Sequence, residues 1–112
     1  MEPRFVYMTA SDRDEAARIG RCLVEERLVA CVNIIDGMQA IYRWEGEICE
    51  DTEAVLIAKT EADRLTPLIA RVNELHSYST PCVVSLPIEE GSAPYLEWIL
   101  KQTRPLVLNE PE

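Results

Sequence analysis

The chain contains one histidine and four cysteines, the side chains best suited to metal binding or nucleophilic catalysis. They are His76, Cys22, Cys31, Cys49 and Cys82. The cysteines are too far apart along the chain to supply the two close pairs of a typical zinc site. Imidazole combined with thiolate or thioether sulfur suits copper better than magnesium or calcium. The alternative is structural, with His76 beside the C-terminal dipole of a helix and the cysteines as small buried hydrophobes.

A second group of potential ligands is acidic. Five carboxylates lie close together with no lysine or arginine among them, namely Glu45, Glu47, Glu50, Asp51 and Glu53. Oxygen donors of this kind bind hard cations such as calcium. The alternative is a solvated strand edge on which like charges discourage aggregation.

The sequence carries no signature of a catalytic site. It has no nucleophile elbow. Its four glycines, Gly20, Gly37, Gly46 and Gly91, are too dispersed for a phosphate-binding loop or a dinucleotide fingerprint. We therefore expect a protein that is not an enzyme and that needs no obligatory cofactor.

The composition predicts one small domain over residues 1–112. The hydrophobic fraction is 47% and the charged fraction is 28%, both close to globular averages. The formal net charge is −9, and the few basic residues do not cluster, so we expect neither nucleic acid nor a membrane as a partner. Without a signal peptide or an apolar run long enough to span a bilayer, the predicted location is cytoplasmic.

Hydrophobic periodicity predicts the element order βαββαβ followed by one more helix. Strands are predicted over 4–10, 30–44, 47–59 and 82–87, and helices over 12–27, 62–76 and 93–103. Ser11 with Asp14, and Thr60 with Asp63, have the spacing of helix-capping boxes. This order is the ferredoxin-like α+β pattern, an antiparallel four-stranded sheet with helices on one face. The C-terminal tail is predicted to lie on the surface, with brief strand pairing at 106–108.

The two central strands form a hairpin that is too long for a domain of this size. The segment 30–44 would span about 50 Å, whereas a compact domain of this length has a radius of gyration of about 13 Å. We interpret Asp36-Gly37 as a bulge within the strand and Glu45-Gly46 as the hairpin turn. The projecting end carries apolar side chains that are costly to expose, namely Met38, Ile41, Tyr42 and Trp44. Edge pairing in a symmetric oligomer would cover them.

The segment Tyr42-Arg43-Trp44 lies at this projecting end. Aromatic residues and arginine dominate protein–protein interfaces, so we predict that the segment contacts a neighbouring subunit. The alternative is a wall of a ligand site between subunits.

Five segments of the chain together resemble one known family, the CutA divalent-cation tolerance proteins. They are Ala30-Cys31-Val32-Asn33-Ile34, Ile41-Tyr42-Arg43-Trp44-Glu45-Gly46-Glu47-Ile48, Lys59-Thr60, Glu74-Leu75-His76-Ser77-Tyr78 with Pro81, and Tyr95-Leu96-Glu97-Trp98. The resemblance implies a ferredoxin-like fold, a homotrimer built by edge pairing of long hairpins, a cytoplasmic location and a link to copper and other divalent-metal tolerance. Because the architecture is shared with PII-type signalling trimers, binding of a small metabolite between subunits is a second possible function.

The resemblance also implies a metal site. In some members a cysteine of the first strand and the histidine that matches His76 are thought to hold copper, and here Met8 stands in the place of that cysteine. Cys82 stands where the family has a glutamate, which disfavours a hard cation and suits a softer ion. The chain also has Ser77 where the family has a proline between the histidine and the tyrosine. We therefore predict a weak site for copper or another divalent metal ion formed by His76 with Met8, Cys31 and Cys82.

Overall fold

A computed structural model describes residues 2–105, which form a four-stranded sheet and three α-helices. The strands are β1 (Pro3–Ala10), β2 (Cys31–Trp44), β3 (Glu47–Glu61) and β4 (Val83–Pro87), and the helices are α1 (Arg13–Glu25), α2 (Leu65–Leu75) and α3 (Ala93–Gln102). The strands lie in the order β2-β3-β1-β4, and every neighbouring pair is antiparallel. The predicted ferredoxin-like α+β fold with an additional C-terminal helix is confirmed. The tail pairing predicted at 106–108 falls outside the described residues.

Alternate residues of the central strands build the core beneath α1 and α2. Because successive strand residues point to opposite faces, one apolar row from each strand meets the helices. The buried cluster includes Val6, Met8 and Ala10 of β1, Ala54, Leu56 and Ala58 of β3, Ile19 and Leu23 of α1, and Leu68 and Val72 of α2. No helix within residues 2–105 combines the length and apolar character needed to cross a bilayer.

The third helix approaches the sheet from the other side. At Gly20 of α1, an added Cβ would lie 3.1 Å from Val32 Cγ1, so α1 packs closely on the Val32 face of β2. The preceding residue, Cys31, therefore points to the opposite face, where its sulfur lies 3.6 Å from the hydroxyl oxygen of Tyr95 in α3. The two helices of the ferredoxin-like pattern, α1 and α2, therefore share one face as predicted, and the additional helix α3 contacts the other face at Cys31.

A β-bulge interrupts the pairing of β2 with β3 at the predicted position. Ile35 is opposite Val55 and Met38 is opposite Glu53, so β2 contains one extra residue between these pairs. Gly37 has a φ of +73°, which favours glycine, and its amide donates a hydrogen bond of 2.8 Å to Asp36 Oδ1. The predicted bulge at Asp36-Gly37 is confirmed.

The hairpin projects from the body of the protein, as its length predicts. Pairing continues to Trp44 opposite Glu47, and the two residues between them form the turn. The molecule measures 53 × 30 × 22 Å, and its radius of gyration of 15.1 Å exceeds the value of about 13 Å for a compact chain of this length. Ile41 and Ile48 near the tip are each more than 60% exposed.

Both predicted capping boxes are wrong, for different reasons. The N-cap of α1 is Asp12, whose Oδ1 accepts a hydrogen bond of 2.8 Å from the Glu15 amide. Each of these two residues lies one position after its counterpart in the predicted pair of Ser11 and Asp14. Thr60 is fully buried at the end of β3 and donates a hydrogen bond of 2.7 Å to the carbonyl oxygen of Leu28. A single 3-10 turn over Ala62–Arg64 then leads into α2.

Glu15 joins the start of α1 to the loop that follows α2. Its Oε1 accepts hydrogen bonds of 3.0 Å from the amide and the hydroxyl of Ser11, and its Oε2 accepts one of 3.0 Å from the amide of Ser77. Burial alone would raise the pKa of Glu15, but hydrogen bonds from Ser11 and Ser77 outweigh it and lower the pKa to about 2. The ionised carboxylate therefore stabilises the fold.

We expect Glu15→Gln to destabilise the protein by about 3 kcal/mol at neutral pH. Because the folded-state pKa is about 2 and the ordinary value is 4.5, the contribution of Glu15 is complete above about pH 4.5 and is lost as pH falls toward 2. Urea unfolding at several pH values and fixed protein concentration measures both effects. Glu25→Gln, at an exposed position of the same helix, is the control, and equal stability of the two variants would contradict this account.

Candidate functional site

A cavity of about 670 Å³ lies between the projecting hairpin, β1 and the loop after α2, which together form a concave surface. Side chains from all three elements line it, among them Tyr7, Tyr42, Trp44, Glu53, Tyr78 and Cys82. We call this region the concave surface. It lies on the face of the sheet opposite α1 and α2, since Tyr7 alternates with the core residues Val6 and Met8.

The β-bulge determines which hairpin side chains face the concave surface. Directly opposed residues of an antiparallel pair share a face, and beyond the bulge Met38 is opposite Glu53 and Tyr42 is opposite Cys49. Tyr42 and Trp44 therefore face the concave surface, whereas Arg43 points to the other side of the hairpin. The predicted contact segment is thus divided between two faces, and without the extra residue these orientations would be reversed.

Glu53 is the most buried acidic group on the concave surface. Only 8% of the residue is exposed, and its Oε2 accepts a hydrogen bond of 2.6 Å from the Tyr78 hydroxyl. Burial and this carboxylate raise the pKa of Tyr78 well above its ordinary value. Nearby, the hydroxyl of Tyr42 donates to Asp51 Oδ2, and this hydrogen bond raises the pKa of Tyr42 to about 12. Both phenols are therefore neutral donors to carboxylates.

His76 supports the loop that carries Tyr78. The Tyr78 amide donates a hydrogen bond of 3.0 Å to His76 Nδ1, so this nitrogen is the acceptor. The other ring nitrogen, Nε2, therefore carries the proton and donates a hydrogen bond of 2.8 Å to the carbonyl oxygen of Thr9. The side chain is only 2% exposed. Both nitrogens of the predicted metal ligand thus form hydrogen bonds with the backbone.

The structure places the three predicted sulfur ligands in different surroundings. Met8 is buried in the core beneath α1 and α2. Cys31 lies on the opposite face beside Tyr95. Cys82 is partly buried on the concave surface, where burial and the charge of Glu53 raise the pKa of its thiol. Among residues 2–105 no three His, Cys, Asp or Glu side chains are grouped closely enough to hold a metal ion. The metal site formed by His76, Met8, Cys31 and Cys82 stays a prediction.

The hydrogen bond between Tyr78 and Glu53 was not predicted from the sequence. Glu53 differs from the other four carboxylates of the acidic segment in one visible way, because it directly precedes the apolar run Ala54-Val55-Leu56-Ile57. A carboxylate at the start of a buried strand half needs a polar partner. That signal indicates burial, but it does not identify the tyrosine, which lies 25 residues away along the chain.

These features define a class of small α+β proteins with a ferredoxin-like sheet and a projecting β2-β3 hairpin. Residues 4–102 match the family model described as CutA1 divalent ion tolerance protein. The chain belongs to this family, which confirms the resemblance found in the sequence.

Individual relatives agree with the family model. The chain is 46% identical over 98 residues to the divalent-cation tolerance protein CutA of Thermus thermophilus, covering 88% of this chain and 95% of the relative. The solved structure of the Thermus thermophilus divalent cation tolerance protein has a TM-score of 0.89 at 44% identity, covering 91% of this chain and 99% of that one. Protein CutA, chloroplastic, of Arabidopsis thaliana is 43% identical over 99 residues, which are 88% of this chain but only 54% of the longer plant protein.

We expect Tyr78→Phe to destabilise the protein by about 1–3 kcal/mol, because it leaves the buried Glu53 carboxylate without its donor. Thermal or urea unfolding measures the loss. Tyr95→Phe is the matched control, since among residues 2–105 its hydroxyl has one hydrogen-bond partner, the Cys31 sulfur at 3.6 Å, and the residue is 42% exposed. A Tyr78 variant as stable as the Tyr95 variant would show that Glu53 is hydrated rather than held by Tyr78.

Proposed function

We propose that this protein is a homotrimeric, non-enzymatic divalent-cation tolerance protein of the CutA type. In this proposal it acts in the cytoplasm, responds to copper or other divalent metal ions and binds them weakly. The observation that carries the proposal is the family match over residues 4–102. We propose the cytoplasmic location for this chain and do not extend it to its relatives, because the name of the Arabidopsis relative places that protein in the chloroplast.

The exposed hairpin supports the trimer. The side chains of Ile41 and Ile48 share one face of the hairpin, with Ile41 opposite Glu50 and Ile48 opposite Arg43. Burying two isoleucine side chains of this exposure is worth about 1.5–3 kcal/mol each. Strands β2 and β4 are the edges of the sheet, and unpaired edges of this kind promote association with another chain. A closed symmetric assembly satisfies both requirements.

Cys82 supports weak metal binding best among the predicted ligands. Its thiol lines the concave surface together with the Glu53 carboxylate, and a net charge of −9 attracts cations to the protein. His76 would have to give up its hydrogen bonds to Thr9 and Tyr78 to coordinate the same ion. Met8 would have to leave the core. These costs are the physical reason why we propose weak binding.

A second candidate function is the binding of a small metabolite between subunits, as in PII-type trimers. The concave surface favours it, because its volume lies within the range of about 300–1,000 Å³ typical of small-molecule sites. Tyr42 and Trp44 would then form a wall of the ligand site.

Native mass spectrometry with and without copper under reducing conditions tests subunit number and metal binding together. We expect a trimer with about one copper ion per chain, because thiolate is the preferred type of ligand. Cys82→Ser should remove most of the bound copper, whereas Cys22→Ser in α1 should retain it. A trimer that takes up no copper, or equal uptake by both variants, would contradict the proposed metal site.

Replacing Ile41 and Ile48 together by glutamate should weaken the trimer at least about a hundredfold, because buried apolar area is exchanged for charge. Sedimentation equilibrium measures the association, and circular dichroism verifies that the chain still folds. Val24→Glu, at a position of α1 that is 41% exposed, is the control and should leave association unchanged. A wild-type monomer at micromolar concentration would refute the trimer itself.

A further inference from the structure

We draw no further inference here: the strongest candidate, the group of buried side-chain polar atoms without a hydrogen-bond partner among residues 2–105 at the end of the sheet where β1 begins and β3 ends, carries nothing, because the donors Arg4 Nε and Arg64 Nε are accompanied there by the acceptor Glu61 Oε2, so that the group favours neither an anion nor a cation.

Discussion

The pairing register between β2 and β3 determines which side chains meet on each face of the hairpin. Because side chains alternate along a strand, one extra residue moves every later side chain to the opposite face. The bulge at Asp36-Gly37 supplies that residue, and Gly37 adopts the left-handed conformation it requires. As a result Tyr42 and Trp44 share the hairpin face that carries Glu53, while the side chains of Ile41 and Arg43 point to the other face of the hairpin. Both the proposed subunit contacts and the proposed ligand site depend on this register.

A second constraint holds the loop after α2 against the hairpin. Glu15 accepts a hydrogen bond from the Ser77 amide, His76 connects Thr9 to Tyr78, and the Tyr78 hydroxyl donates to Glu53. The side chains of Glu15, His76 and Glu53 are almost fully buried, where an unpaired polar atom is costly, so these hydrogen bonds hold the loop in place. The loop is therefore attached by hydrogen bonds to α1, to β1 and to the hairpin. His76 supports the loop next to the concave surface, and both of its ring nitrogens form hydrogen bonds with the backbone.

The same arrangement explains how one surface can attract different cations. Cys82 offers a thiol to a soft metal ion, and Glu53 offers a carboxylate to any cation near it. The faces of the aromatic side chains attract cations electrostatically. A protein with a net charge of −9 favours the approach of cations.

Much of the fold followed from the order and periodicity of residues in the sequence. Local patterns were sufficient for the four strands, the three helices, the bulge and the projecting hairpin, because each depends on neighbours along the chain or on strand length. Five motifs in the correct order were sufficient for the family. The capping boxes failed because Asp12 rather than Ser11 caps α1, and because Thr60 is buried at the end of β3, where its hydroxyl donates to the carbonyl oxygen of Leu28.

The site depended on tertiary structure. His76 and Met8 had the right chemistry for a metal, but hydrogen bonding and core packing, which no local pattern shows, occupy them in this fold. The placement of α3 on the second face and the contact between Tyr78 and Glu53 likewise join residues far apart in the chain. The sequence by itself determined the elements and the family, since these depend on local spacing. Only the tertiary structure decided which polar groups are satisfied and which remain available to a ligand, because that depends on long-range contacts.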